Sequence, residues 1–263
     1  MIKKDNEVCM ISKNKKRFII SLQRKKVRDE ERLFIIEGDK LVLEFLSSKV
    51  PVKTIAGKSE ILKTLPLFTD FHGETYEVTE EELKEMSTLT TPHNIIAVVP
   101  MPNQELNFKK ILQELSVALS FIQDPGNLGT IIRAAGWFGI RNIICSPDCV
   151  DVYNPKVIQA SMGALLHVNV FYHDIKKLLF SAAEDNVPVF GTMLDGESIY
   201  NHNLAKKGVI LFGNESKGIS KDLIPYITHK IMIPKFGVSK QGIDSLNVGM
   251  AASVVFSEFL RRS

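Results

Sequence analysis

Apolar positions in the first hundred residues recur at spacings typical of short strands and helices. Four runs are either continuously apolar or alternate polar and apolar positions, as strands do; they span residues 33–36, 52–56, 74–78 and 94–99. An amphipathic helix is predicted over 38–48, and Thr79 with Glu82 forms a capping box that predicts a further helix start. The pattern therefore predicts a small α/β domain over residues 1–100, followed by a proline-bearing linker at 101–106.

The remainder of the chain, residues 107–263, alternates strands and helices more regularly. Strands are predicted at 117–123, 142–146, 167–172, 187–194, 208–213 and 230–234, and helices at 130–138, 155–165, 174–185 and 220–227. A last helix is predicted from about Ser245, because apolar residues between Val248 and Phe259 fall on one helical face. This alternation predicts an α/β fold with a mainly parallel sheet and helices on both faces.

Composition narrows the class of protein. With 263 residues, of which 44% are hydrophobic, the chain can bury a globular core. No apolar run approaches the roughly 20 residues that cross a bilayer, and the N-terminus lacks the apolar segment of a signal peptide. Cys9, Cys145 and Cys149 are odd in number and lack metal-site spacing. We therefore expect a cytoplasmic protein without a membrane or metal partner.

Charge is distributed unevenly along the chain. Residues 1–28 contain ten Lys or Arg against Asp5 and Glu7, a balance of +8, so the other 235 residues sum to −5 if the total is +3. A helix over 13–23 is predicted to expose an almost wholly cationic face. A basic arm on a mildly acidic body is typical of proteins that contact nucleic-acid phosphates. A solvated tail that maintains solubility explains the charge equally well.

Three segments mix glycine with Asn, Arg, Glu or Ser where a strand or loop leads into a helix; they are 124–133, 211–218 and 245–252. Open α/β sheets place their ligands at such junctions. In the first segment, Pro125 and Gly126 predict a tight turn before a helix from about Thr130. Asn127 then lies in the loop, and Arg133 lies one turn into the helix, where it favours phosphate. Singly, each segment is also explained by turns and helix caps, but together they favour a ligand site.

Several familiar signatures do not occur in the sequence. The glycines around Gly126 do not form G-x-G-x-x-G, and Ile219 occupies the place of the lysine in a P-loop. Ser216 is not in a G-x-S-x-G elbow, and there is no H-E-x-x-H pair. A nucleotide-binding α/β protein of another kind would therefore lack its phosphate loop.

The three segments jointly resemble the motifs of the SpoU, or TrmH-like, family of RNA ribose 2′-O-methyltransferases, over residues of about 117–262. Asn127 and Arg133 match the first motif, the run from Gly213 to Glu215 the second, and the run from Ser245 to Asn247 the third. Residues 154–164 also resemble the family, and the first hundred residues more loosely resemble a substrate-binding domain that often precedes it. The sequence departs from the family pattern in a longer loop at 235–244 and at positions 244, 249 and 250.

The resemblance implies a C-terminal trefoil knot, a homodimer that uses the last helix, and S-adenosyl-L-methionine as cofactor. It implies that backbone groups of three loops hold the cofactor; the residues carried over are Thr192, Met193, Gly213, Asn214, Ile233 and Leu246. It also implies a structured RNA substrate, with 23S ribosomal RNA as the first choice and transfer RNA as the second.

Catalytic roles follow from the same resemblance. Arg133 is expected to hold the target phosphate and hydroxyl, and Glu215 is expected to orient Arg133. Asn127, Ser245 and Asn247 complete the hydrogen-bonding set. A guanidinium stays protonated in proteins, so we expect the hydroxyl proton to leave through phosphate or water. The alternative is a non-catalytic RNA-binding or ribosome-assembly module on the same fold, which loss of these residues would have favoured.

Overall fold

The computed structural model describes residues 8–48, 50–65, 71–202, 204–237 and 245–261. The chain divides into two compact units. The first contains Met1–Asn103 together with Tyr153–Leu166, and the second contains Gln104–Val152 together with His167–Ser263.

The first unit is built on a mixed five-stranded sheet. Its strands are β1 (Val8–Met10), β2 (Leu33–Glu37), β3 (Thr54–Gly57), β4 (Glu74–Glu77) and β5 (Ile95–Pro100), in the order β1-β4-β3-β5-β2. Its helices include α1 (Lys13–Ser21), α2 (Lys25–Glu31), α3 (Asp39–Ser47), α4 (Ser59–Thr64) and α5 (Glu80–Met86). The predicted capping box is confirmed, since Thr79 and Glu82 exchange hydrogen bonds at the start of α5. The sequence patterns had not predicted β1, α2 and α4.

The cationic face expected on α1 is partly neutralised. Lys15 forms an ion pair with Glu74, and Lys16 forms one with Glu85 at 2.9 Å. Arg28, just beyond α1, is buried and donates hydrogen bonds to two backbone carbonyls at 3.0 and 2.7 Å. The exposed face of α1 carries Lys13 and Arg17, in line with the prediction, whereas Lys15 and Lys16 are only partly exposed and pair with acidic residues of β4 and α5.

The second unit is built on a six-stranded sheet in which every paired strand is parallel. Its strands are β6 (Leu115–Leu119), β7 (Asn142–Cys145), β8 (Asn169–Tyr172), β9 (Val189–Ser198), β10 (Gly208–Phe212) and β11 (His229–Met232), in the order β11-β9-β10-β6-β7-β8. The helices along this part of the chain are α6 (Phe108–Ile111), α7 (Pro125–Trp137), α8 (Pro155–Ser161), α9 (Ile175–Glu184) and α10 (Val248–Leu260). The predicted parallel sheet is confirmed.

Helices cover both faces of this parallel sheet, as predicted. On one face, Leu178 and Leu179 of α9 join a buried cluster with Val209 and Leu211 of β10. On the other face, Phe256 of α10 packs edge-on against Phe212 of β10, with ring centroids 5.9 Å apart. All five residues of β10 are buried, which explains why its sequence is continuously apolar.

Helix α8 lies in the first unit, although it follows strands of the second along the chain. Its Ile158 joins the buried cluster of Phe34 and Ile36 from β2. The ring of Tyr153, just before α8, lies 4.7 Å from that of Phe34. The sequence predicted a division at residues 101–106 and gave no sign that residues 153–166 belong to the first unit.

Two predicted helices differ from those observed. Helix α7 begins at Pro125 rather than near Thr130, because the Asp124 side chain caps it and a proline at the first position needs no hydrogen-bond partner for its nitrogen. The predicted helix at 220–227 is only a short 3₁₀ turn at Ile224–Tyr226. Pro225 disfavours α conformation in the residue before it, which limits the helix.

The order of the parallel strands creates a switch point between β6 and β10. From β6 the chain proceeds outward to β7 and β8, and it then crosses to β9 and β10 on the other side. Open α/β sheets bind ligands outside the carboxyl ends of strands at such a point. Residues 120–127 follow β6 and residues 213–218 follow β10, so both lie at this edge.

Candidate active site

Three polar side chains from the three predicted junctions meet at this edge. Glu215 Oε1 accepts hydrogen bonds from Asn127 Nδ2 at 2.6 Å and from Asn247 Nδ2 at 3.2 Å. Asn247 Nδ2 also donates to Asn127 Oδ1 at 2.7 Å. This polar cluster, comprising Asn127, Glu215 and Asn247, joins residues separated by up to 120 positions in the chain. A carboxylate strengthens the hydrogen bonds that it accepts, so Glu215 fixes both amides.

Asn247 has a structural role as well as a place in the cluster. It is the N-cap of α10, and its Oδ1 accepts hydrogen bonds from the backbone N–H groups of Gly249 and Met250 at 3.0 and 3.3 Å. A Cβ at Gly249 would lie 3.0 Å from a Thr130 side-chain atom, so the glycine lets α10 approach α7 closely. Asn247 can therefore cap α10 through its Oδ1 and belong to the polar cluster through its Nδ2 at the same time.

The segment after β10 forms a tight hairpin. The backbones of Asn214 and Gly218 exchange hydrogen bonds at 3.0 and 2.8 Å, and Asn214 Oδ1 accepts from the backbone N–H groups of residues 216 and 217. A Cβ at Gly213 would lie 2.2 Å from the carbonyl carbon of Gly218, a separation that real Cβ atoms essentially never show. Gly213 is therefore required for the hairpin to fold back, and the Asn214 side chain caps this turn rather than a helix.

A cavity of about 700 Å³ opens beside the polar cluster, at the carboxyl ends of β9, β10 and β11. Its lining includes every residue predicted to bind the cofactor: Thr192, Met193, Gly213, Asn214, Ile233 and Leu246. Glu215 and Ser245 also line it, whereas Asn127, Asn247 and Arg133 do not. The cavity and the polar cluster therefore share Glu215.

A register jump in the sheet makes room for this cavity. Strands β9 and β11 pair at Gly191 with Lys230, and the next pair is Glu197 with Ile231. Residues 192–196 of β9 therefore leave the ladder, and three of them line the cavity. The predicted strand at 187–194 gave no sign of this irregularity.

Arg133 is the exception among the predicted catalytic residues. It is exposed in the third turn of α7, since that helix begins earlier than predicted. Among the described residues, Glu215 accepts hydrogen bonds from Asn127, Asn247 and the backbone N–H of Val248, and no bond from Arg133 is present. The expected pairing of Glu215 with Arg133 is therefore not made within this chain.

Sequence reasoning missed several lining residues. These are chiefly apolar, and include Leu194, Ile199, Ile219, Phe236, Val248, Ala251 and Val255. Three of them lie on one side of α10, at spacings of three and four residues that the helical pattern contained. Lys217, in the hairpin after β10, was also missed.

Two thiols also lie near this edge. Cys145 ends β7 and is fully buried, and Cys149 Sγ accepts a hydrogen bond from the Ile122 backbone N–H at 3.2 Å. Hydrogen bonding with Cys145 lowers the pKa of Cys149 to about 7, although burial opposes this. The described part of the chain contains no group of three or more His, Cys, Asp or Glu arranged to hold a metal ion. Within that part, no helix combines the length and apolar character needed to cross a membrane.

An apolar cavity and a polar cluster at the switch point of a parallel sheet define an α/β protein that binds a small molecule at its carboxyl edge. The model of the SpoU rRNA methylase family matches residues 114–257, more than half of the chain. The model of the MRM3-like substrate binding domain matches residues 13–97. The chain belongs to the SpoU rRNA methylase family.

Known proteins resemble the chain over nearly its whole length. A structure from Porphyromonas gingivalis, assigned to the TrmH family, is 35% identical with a TM-score of 0.87, covering 97% of this chain and 100% of that one. An AdoMet-bound rRNA methyltransferase from Sinorhizobium meliloti is 27% identical with a TM-score of 0.84, covering 97% of each chain. The 23S rRNA (guanosine(2553)-2′-O)-methyltransferase RlmP of Bacillus subtilis (strain 168) is 29% identical, over 89% of this chain and 91% of that protein.

Proposed function

We propose that this protein is an S-adenosylmethionine-dependent methyltransferase that acts on a ribose 2′-hydroxyl of RNA, with 23S ribosomal RNA as its substrate. The observation that carries the proposal is the junction of the apolar cavity with the polar cluster at Glu215. It supports the proposal because an apolar cavity that could hold a methyl donor adjoins polar groups that could bind a ribose hydroxyl.

The cavity fits an adenosylated cofactor. Its lining is mainly apolar, and glycine at position 213 brings backbone groups to its surface. The Thr192 hydroxyl donates a hydrogen bond to the Leu211 carbonyl at 3.0 Å. Its hydrogen is therefore used within the protein and is not offered to the ligand. Backbone groups of residues 192–193, 213–214, 233 and 246 would hold the cofactor. When bound, S-adenosylmethionine supplies a sulfonium methyl group that needs no acid catalyst.

The protein must position the hydroxyl and receive its proton. We assign Asn127, whose amide nitrogen has a second hydrogen to donate, to hydrogen bonding with the ribose. Asn247 and Glu215 hold that amide in place, because the hydrogen-bonding groups of the Asn247 side chain are already used within the protein. Ser245, exposed at the cavity, completes this set. Arg133 binds the phosphate beside the target ribose, and because it stays protonated the hydroxyl proton leaves through that phosphate or through water.

Ribosomal RNA is the proposed substrate class for two reasons. The relative from B. subtilis is named as a 23S rRNA methyltransferase, and the first unit matches a substrate-binding domain model. We assign residues 1–100 to RNA binding, 101–106 to a linker and 107–263 to the methyltransferase domain. A ribosomal substrate and an odd number of cysteines, three in this sequence, favour the cytoplasm.

A C-terminal trefoil knot and a homodimer are also proposed. Support for the knot is that Asn247 lies against residues that follow β6 and β10, although the chain has already passed through the edge strand β11. Support for the dimer is exposed apolar surface on α7 and α10, where Trp137 is 85% exposed and Met250 64%. Large exposed apolar side chains often mark an interface.

The decisive experiment measures cofactor binding and transfer separately. Calorimetric titration with S-adenosylhomocysteine should show one site per chain, and an unmodified 23S rRNA transcript should acquire a 2′-O-methyl group. Arg133→Ala should abolish transfer while leaving S-adenosylhomocysteine affinity intact, and Arg141→Ala, an exposed arginine at the other edge of the sheet, should affect neither. A folded protein that does not bind S-adenosylhomocysteine would instead favour the non-catalytic RNA-binding module.

A further inference from the structure

Lys217 places a positive charge at the rim of the cavity. Its Nζ lies 4.7 Å from the centroid of the Phe121 ring. Lys217 itself lines the cavity but Phe121 does not, so this contact holds the ammonium at the rim, beside the loop that leads to Asn127. Within the described chain, no carboxylate forms an ion pair with Lys217. The ammonium is therefore held in position but keeps its charge available.

The residue beneath this ammonium has a strained backbone. Phe121 has φ of +61°, a left-handed conformation that bulky residues rarely adopt. Its N–H donates to Ser146 Oγ at 2.9 Å, and its carbonyl accepts from Asn214 Nδ2 at 2.9 Å. Glycine would take this conformation without strain. A phenylalanine whose strained backbone is fixed by two hydrogen bonds indicates that its ring is used, since strain persists mainly at functional positions.

We propose that Lys217 binds a backbone phosphate of the RNA strand whose ribose enters the site, and that Phe121 is the residue that positions it. This inference rests on the proposed function. Lys217 and Glu215 belong to the same hairpin, and each ribose is flanked by phosphates on both sides. A strand that brings a hydroxyl to the polar cluster therefore carries a phosphate past the same edge. Such contacts set the register of a nucleic acid on a protein.

The Phe121 ring can hold the Lys217 ammonium in position before RNA binds, and can release it when a phosphate arrives. A cation–π contact at a partly exposed ring such as Phe121 is weak compared with a charge-assisted hydrogen bond to phosphate. Lys217 can therefore exchange the ring for phosphate with a net gain. The carboxylate of the cofactor has the same anionic oxygen chemistry, but the contact of the ammonium with Phe121, a residue that does not line the cavity, favours RNA.

The first test compares Lys217→Met with Lys207→Met, which removes the same charge just before β10, at the opposite edge of the sheet. The probe is a labelled, unmodified 23S rRNA transcript, bound at several salt concentrations. One lost phosphate contact should reduce the slope of log affinity against log salt by about 0.7–0.9. The same loss corresponds to roughly five- to eightfold weaker binding at 0.1 M salt.

Lys217→Met should leave S-adenosylhomocysteine affinity unchanged, Lys217→Arg should restore the slope, and Lys207→Met should behave as wild type. An unchanged slope in Lys217→Met overturns the proposal, and so does weaker S-adenosylhomocysteine binding, which would assign Lys217 to the cofactor. Wild-type transfer activity tests the proposed function separately, because RNA binding and its salt dependence do not require turnover.

The second test isolates the role of the ring. Phe121→Gly relieves the left-handed strain, so its thermal midpoint should stay close to that of wild type while RNA binding weakens. The double variant with Lys217→Met should bind RNA no more weakly than Lys217→Met alone, because both changes remove one contact. Additive losses would overturn the positioning role of Phe121.

Discussion

Substitution of Gly213 should damage the cavity and the polar cluster while the rest of the fold stays intact. In Gly213→Ala the added Cβ would meet the Gly218 carbonyl carbon at 2.2 Å, whereas ordinary contact begins at 3.4 Å. The hairpin must therefore open by roughly 3.4 − 2.2 = 1.2 Å at this point. Asn214 and Glu215 follow directly in the chain, so both the cavity wall and the polar cluster move. A displacement of about 1 Å near reacting groups costs on the order of a hundredfold in rate.

Two measurements test this reasoning. Calorimetric titration should show much weaker S-adenosylhomocysteine binding, and methyl transfer to an unmodified 23S rRNA transcript should fall about a hundredfold. Gly237→Ala is the matched control, because a Cβ at Gly237 meets nothing within 4 Å. It should retain both properties. The reasoning would be refuted if Gly213→Ala, correctly folded by circular dichroism, bound S-adenosylhomocysteine and transferred methyl groups like wild type.

Three further predictions follow from the described contacts. Glu215→Gln keeps an acceptor but removes the charge that strengthens its bond from Asn127, so the transfer rate should fall about tenfold with unchanged S-adenosylhomocysteine affinity; a wild-type rate would contradict this. Hydrogen bonding with Cys145 lowers the pKa of Cys149 from 9.0 to about 7, so thiolate absorbance of wild type minus Cys149→Ser should have a midpoint near pH 7 rather than near 9.0. Because the folded pKa is the lower one, the stability that this thiolate contributes is present above pH 9.0 and is lost as the pH falls through about 7. Ile158→Ala should cost about 2–5 kcal/mol and speed amide exchange in β2 but not in β6; faster exchange in β6 instead would contradict the place of α8 in the first unit.

Local signals in the sequence were sufficient for most individual elements. The capping box at Thr79 involves groups three residues apart, and the buried strand β10 is continuously apolar, while Ser116 is the one polar residue of β6. Errors arose where a local signal had two interpretations. Pro125 and Gly126 read as a turn, yet proline also suits the first position of a helix, and the cap at Asp124 decided in favour of the helix.

The motif residues were also identified from sequence, through their resemblance to a family, but their partners were not. Glu215 was expected to orient Arg133, and it binds Asn127 and Asn247 instead. Nothing near Glu215 in the chain specifies that choice, because the two amides lie 88 and 32 residues away.

The sequence by itself determined the class of sheet and the positions of the three polar junctions, and its resemblance to a family added six of the residues that line the cavity. Only the tertiary structure decided that residues 192–196 leave the ladder, that α8 packs in the first unit and that Phe121 lies beneath Lys217. The physical reason is the range of the forces involved. Periodicity and capping act over a few residues, whereas a register jump, a packed helix or a strained residue is stabilised by contacts with distant parts of the chain.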